Sequence, residues 1–253
     1  MSQPAPSQPL GSQRDPESQS QPMDSQAPKP EYEAPAWLGD AAARGFLVTR
    51  SGGSSVKLAS EDALKVLHAA MEPWRKIGRE KTPYTGAKVI EIPDVDNACF
   101  LSLEPADSDT DVAALANWLV SDGAETWAKS VGKSLHVSRM IPVEAACGEM
   151  DIVPMAANVL PEHFEAVLRT GLRSSTYEVL YEEHKPSVHL LPSVVNAAIG
   201  ECMHPGYQID LKAPSHSILV CVLGSTAFMS VVDGYRQKSK HFALHKALAA
   251  MVA

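Results

Sequence analysis

Residues 217–223 read Ser-Ile-Leu-Val-Cys-Val-Leu, and this stretch decides the fold. From Ile218 onward every side chain is apolar, and no charge or glycine interrupts the run. A strand with one wet face alternates polar with apolar; a continuous run belongs to a strand buried on both faces. It is far short of the roughly 18 apolar residues that would cross a bilayer, and no such run exists elsewhere in the chain. A sheet has to be built around it. Downstream, 227–232 reads as a second strand and 236–251 as a closing basic helix. Upstream, 207–211 reads as a short strand. Before it, Leu191, Val194, Val195, Ala198, Ile199 and Cys202 recur at helical spacing until Pro205-Gly206 stops the helix. Residues 176–181 alternate as a strand, and 150–164 is helical with interruptions expected at Pro154 and Pro161. The order α-α-β-α-β-β thus begins near Glu144.

The preceding hundred residues read differently. Residues 45–50 (GFLVTR) form a strand. Ser60 is expected to cap a helix whose apolar face is Leu64, Leu67, Met71 and Trp74. Strands follow at 88–92 and 98–103, then a helix from Asp109 with Val112, Leu115, Ala116 and Leu119 on one side. A last strand covers 133–143, ending near Pro142. This β-α-β-β-α-β order predicts a ferredoxin-like antiparallel sheet with helices on one face. The fold class is therefore α+β, divided into a tail at 1–40, a ferredoxin-like domain at 41–143 and a second domain at 144–253. The tail is expected to be disordered, because residues 1–36 hold eight of the 19 prolines with six Ser and six Gln.

Charge is distributed unevenly. The net −8 over 253 residues argues at first against a nucleic-acid partner. By region the excess acid lies at 1–128, while 129–253 carries 11 basic and 11 acidic side chains with eight of the nine histidines. The final twenty residues contain Arg236, Lys238, Lys240 and Lys246 and no acid. The N-terminus has neither the basic nor the apolar region of a secretory signal. Four dispersed cysteines suit buried thiols in a reducing compartment rather than disulfides or zinc.

No pattern reaches the specificity an enzyme requires. Gly132-Lys133-Ser134 lacks the upstream glycine of a phosphate loop, since Trp127 stands there. His241 and His245 are four apart, but no further ligand is near in sequence, so a pair on a helix face is the better reading. Cys202 and His204 lack a third orienting group. The reading is no catalytic residue, no metal and no cofactor. The segment 235–241 is different: Tyr235, Arg236, Lys238, Lys240 and His241 combine phosphate donors with a ring that can stack on an unpaired base. On composition alone a solvated terminal helix is the preferred reading.

These residues carry a family likeness. Ile209-Asp210-Leu211-Lys212, the 218–223 strand, Ser230-Val231-Val232 and Tyr235 resemble the second half of a THUMP domain. Arg139-Met140-Ile141-Pro142 with Cys147 resembles the segment that opens the THUMP half in tRNA acetylation adaptors, and Gly45-Phe46-Leu47-Val48-Thr49 resembles their opening strand. Together the segments span about residues 44–245. The chain differs at Ala146, Ala213 and Phe242, where the family carries Thr, Asn and a Tyr-Asn pair.

The resemblance implies a ferredoxin-like domain followed by a THUMP domain, binding tRNA without a catalytic domain, for which a chain ending at Ala253 leaves no room. Its implied partners are tRNA, of the serine and leucine type, and a separate RNA cytidine acetyltransferase that forms 4-acetylcytidine in the D-arm. The implied setting is the nucleus, with no membrane contact. The expected RNA-binding residues are Arg139, Lys212, Tyr235, Arg236, Lys238 and Lys240. A structural role is equally open for Arg139 and Lys212, pairing with strand neighbours, and for Tyr235, capping the core. Two other classes remain: an interaction scaffold that has lost RNA binding, and a small enzyme using the histidine-rich half.

Overall fold

The computed structural model describes residues 31–78, 80–132, 135–169, 175–203, 206–238 and 240–252; the side chains at 165–169, 237, 238, 240 and 252 lie outside that description. Lys133, Ser134, His204 and Pro205, and with them the phosphate-loop and thiol–imidazole readings, also lie outside.

Four strands, β1 (Gly45–Arg50), β2 (Gly86–Glu91), β3 (Ala98–Glu104) and β4 (Val137–Val143), form an antiparallel sheet in the order β2-β3-β1-β4. That is the ferredoxin-like order. Helix α1 (Val56–Ile77) lies across this sheet and packs on α3 (Ala124–Val131), which follows α2 (Val112–Leu119). The α1 stripe is real but centred a little earlier than expected: Ala63, Val66, Leu67, Ala70 and Trp74 are buried. Two caps are corrected. Ser55 rather than Ser60 caps α1, accepting from the Leu58 amide at 3.2 Å, and Ser60 is buried inside the helix, bonded to the Lys57 carbonyl. Asp111 rather than Asp109 caps α2 through the Ala114 amide at 2.8 Å; Asp109 instead takes the amides of Lys81 and Thr82. The single helix expected after 109 is two, α2 and α3.

A second, five-stranded sheet has the order β5-β9-β8-β6-β7, from β5 (Ala145–Gly148), β6 (Thr176–His184), β7 (Gln208–Ile209), β8 (His216–Leu223) and β9 (Thr226–Asp233). The β6 strand runs parallel to β7 and β8, and the remaining pairs are antiparallel. The expected pair of helices before β6 is one continuous helix, α4 (Ile152–Arg169). Pro154 stands in its first turn, where no amide partner is needed, and Pro161 is accommodated inside it. Strand β5, unforeseen, precedes α4. Helix α5 (Pro192–Glu201) buries Val195 and Ile199 but leaves Leu191 and Val194 exposed.

Both faces of β8 and β9 are covered. Ile218, Val220 and Val222, with Ala227, Met229 and Val231, pack under α4 and α5. Leu219, Cys221 and Leu223, with Phe228 and Val232, join the core of the first sheet. The alternation of the pleat sends successive residues of one apolar run into two different cores. Phe100 of β3 meets Phe228 of β9 at 5.9 Å between ring centres, and Trp37 closes the trio at 6.1 and 6.2 Å. Trp37 also donates to Thr226 Oγ1 at 3.0 Å, and Leu38 is buried. Residues 31–40 are thus part of the folded body, correcting the expected end of the tail: two apolar side chains there have a core to enter.

Glu144 alone separates β4 from β5 and so links the sheets. Its amide donates to the Met229 carbonyl, and its carboxylate accepts from the Val231 amide at 3.1 Å and lies 2.9 Å from His163 Nε2 of α4. Burial opposes a charge on His163, but the Glu144 carboxylate, helped by Asp111 and Asp233, outweighs it and raises the ring above its ordinary 6.5.

Two outcomes follow from this packing. Replacing Phe228 by Ala is expected to destabilise the protein by about 3–5 kcal/mol, shifting one shared urea transition, because that ring belongs to the core between the sheets. A raised histidine contributes stability that is complete below its unfolded pKa and is lost as pH rises through the folded one. Stability measured by urea titration should therefore fall as pH rises above the ordinary histidine value of 6.5, and His163→Gln should flatten that fall.

Candidate nucleic-acid interface at the C-terminal segment

The closing basic helix expected over 236–251 is broken. A short helix, α6 (Tyr235–Lys238), is followed by a single 3-10 turn at Lys240–Phe242 and then α7 (Leu244–Val252). His241 and Phe242 adopt φ of 56° and 53°, the left-handed region that disfavours a residue bearing a side chain by about 1–2 kcal/mol each. Burial decides the contest: Phe242, Leu244 and Ala247 are inserted into the first core, and a buried Phe alone contributes about 1.5–3 kcal/mol. The break also brings Ala243 into an antiparallel bridge with Arg139, covering the outer edge of β4. The departure at Phe242 is thus a core residue, and Ala146 is buried in β5.

Two carboxylates on β6 hold this segment down. Glu178 and Glu182, in register with Ser217 and Cys221, lie four residues apart on the face that also presents Cys221 and Leu219. Glu178 is buried, accepting from Ser217 Oγ at 2.8 Å. Arg236 Nε lies 2.9 Å from both Glu178 oxygens, and its Nη2 reaches Oε2 as well. Glu182 takes a two-pronged contact from Arg139, at 2.8 and 3.3 Å. Arg139 further donates to the His241 carbonyl at 3.1 Å and to the Tyr235 hydroxyl at 3.4 Å, and His241 Nδ1 lies 3.1 Å from that hydroxyl. Burial opposes the Arg139 charge, yet Glu182 holds its pKa above the usual value. Tyr235 is buried, and that burial raises its phenol.

Three of the six expected residues, Arg139, Tyr235 and Arg236, therefore have partners within the protein. Lys212 is exposed in the turn after β7, its amide bonded to Asp210 Oδ1. The Gly234 amide donates to the Ser215 carbonyl, which brings that turn beside the start of α6. The Lys238 and Lys240 side chains lie outside the described residues. The fold thus gathers the six positions along one side, from the β7–β8 turn over β6 to the edge of β4. It adds exposed His245 and Lys246 on α7 and Lys129 on α3, the helix that α7 packs against.

Sequence reading overlooked Glu178 and Glu182. Their spacing of four in an alternating strand, beneath an acid-free basic segment, was the available signal. His241 and His245 are not on one helix, and among the described residues no three His, Cys, Asp or Glu side chains converge as a metal site would require. Cys99, Cys147 and Cys221 are buried, and that burial pushes their thiols up to about 12, so they are protonated and unreactive near neutral pH.

Removing Arg236 would leave the buried Glu178 carboxylate without its counter-ion. Arg236→Ala should lower the urea midpoint, and adding Glu178→Gln should recover most of the loss. If the single substitution leaves the midpoint unchanged, the pair does not anchor the segment.

Against solved structures, the chain is similar to PH1313 from Pyrococcus horikoshii Ot3, at 12% identity and a TM-score of 0.46 over 76% of this chain and 56% of that one. It is also similar to TrmN from Thermus thermophilus, at 15% identity and 0.36 over 74% and 44%. A third likeness is to a 4-thiouridine synthetase crystallised with RNA and ATP, at 14% identity and 0.42 over 76% and 42%. The chain spans between two-fifths and three-fifths of the length of these proteins. No family model and no curated protein sequence matches it.

Proposed function

We propose that this chain is a non-catalytic tRNA-binding adaptor of the THUMP type. It would present tRNA, of the serine and leucine class, to a separate RNA cytidine acetyltransferase for 4-acetylcytidine formation in the D-arm, within the nucleus. One observation carries the reading: the segments of the family likeness are the framework of the fold. GFLVT at 45–49 lies in β1 and RMIP at 139–142 in the adjacent β4, with Phe46 opposite Pro142 and Thr49 opposite Arg139. The later segments fall on β7, β8 and β9 and end at α6. Recognition would be of folded tRNA shape, with phosphates held by Lys212, Lys238 and Lys240 and by Lys246 of α7. Arg139, Tyr235 and Arg236 would shape that surface from below while keeping their internal partners. Among the described residues no helix is long and apolar enough to cross a membrane.

The scaffold reading draws support from those same internal pairs, since Arg139 and Arg236 are engaged by Glu182 and Glu178. Salt dependence separates the two. Retention of tRNA by the full chain on filters should weaken as salt rises, and Lys238→Glu with Lys240→Glu should lower the slope of log affinity against log salt by about two units, roughly one per phosphate contact. Absence of salt-dependent retention, with and without the acetyltransferase, would remove the RNA-binding half of the proposal and leave the scaffold.

A further inference from the structure

On the helical side of the second sheet, five large apolar side chains stay in water. Met150 is 70% exposed, Leu191 67% and Val194 57%, with Val153 and Val188 at 42%. They sit on three pieces of chain tied together. The Val188 amide donates to Glu149 Oε2 at 3.2 Å, fastening the loop before α5 to the turn that starts α4. Cys202, at the end of α5, has its Sγ 4.0 Å from the Val153 carbonyl. The start of α4, the 185–191 loop and the outer flank of α5 therefore meet in one apolar surface. Scattered single apolar residues mean little; a joined group of this kind marks contact with another molecule.

The charges around it say what that molecule is. Residues 144–168 and 186–211 contain no Lys or Arg. Phosphate recognition needs such donors, and among the described side chains this surface has only Lys185 at its edge, held by Asp96 at 3.3 Å, so it does not fit nucleic acid. The charged residues beside the patch are mostly carboxylates, Asp151 next to Met150 and Glu201 next to Cys202, with Glu183 behind the 185–191 loop and His189 beside it; Lys185 opens that loop but is paired with Asp96. A second copy docking through the same face would set acid against acid. Residues 1–30 carry Arg14 and Lys29 against Asp15, Glu17 and Asp24 among many prolines, and do not supply a basic apolar helix. We propose that this surface is a docking site for a basic amphipathic helix of another protein, whose apolar stripe covers Met150, Val153, Val188, Leu191 and Val194 while flanking Lys or Arg side chains meet the acidic rim. The inference stands apart from RNA binding, which lies with the basic groups on the opposite face of the sheet.

A test uses the full chain and a labelled peptide of ~18 residues with leucines at helical spacing and lysines elsewhere, long enough for about five turns. Controls are a scrambled peptide of the same composition and a leucine–glutamate peptide of the same spacing. Fluorescence anisotropy should show the patterned Leu/Lys peptide binding at least about tenfold more tightly than either control, and Leu191→Lys or Val194→Lys should weaken it by about tenfold or more. Both positions are exposed, so thermal midpoint and tRNA retention should not change. Absence of binding, equal binding of the three peptides, or insensitivity to both substitutions would overturn the proposal. A concentration-dependent dimer abolished by Leu191→Lys would overturn it in favour of a second copy.

Discussion

Burial of β8 and β9 on both faces is the constraint from which the rest of the architecture follows. A strand with six consecutive apolar residues cannot leave either face in water, so the second sheet needs two covers. Its own helices α4 and α5 supply one; the first sheet, Trp37 and the C-terminal segment supply the other. The ferredoxin-like half and the half that follows it are therefore one packed body, joined by aromatic contact across Phe100 and Phe228 and by the single linking residue Glu144. The wet flank of α5 and the basic segment are then forced to opposite sides of the same sheet.

Electrostatics on the covered side follows from β6. A strand that places Glu178 and Glu182 on one face offers two fixed anions, and the arginines opposite them set where the chain runs after β9. This separates two kinds of cation that composition cannot distinguish. Arg139 and Arg236 are structural charges, while exposed Lys212 and Lys246 are left for solvent or a ligand. In the proposed role the first group fixes the shape of the surface, and the second, with Lys238 and Lys240, supplies its attraction for phosphate.

The sequence made much of this legible. The apolar run at 217–223 revealed a two-sided strand because both of its faces meet apolar neighbours, and the arrangement of the first four strands followed from the β-α-β-β-α-β order. What could not be read depended on partners distant in sequence. Ser55 and Ser60 are equivalent caps by composition; only the loop leading from β1 selects the former. Pro154 reads as a breaker but sits where a helix has no amide to satisfy. The turn at His241–Phe242 is written nowhere locally, since neither residue favours a positive φ, and it exists because the core accepts Phe242. The acids of β6 read as the wet side of a strand until the C-terminal segment is seen lying over them. Of the candidate site, sequence located the region and the cations but not which of them the protein keeps for itself.

The central claim is that the side carrying the C-terminal segment is a surface for folded tRNA. Ultraviolet crosslinking of the full chain to cellular RNA, with sequencing of the bound RNA and mass-spectrometric mapping of the crosslinked peptides, tests it most directly. The account predicts enrichment of tRNA, with crosslinks in the 206–216 and 235–252 segments and none on α5. Crosslinks without tRNA enrichment, or tRNA attached to the α4–α5 side, would contradict it.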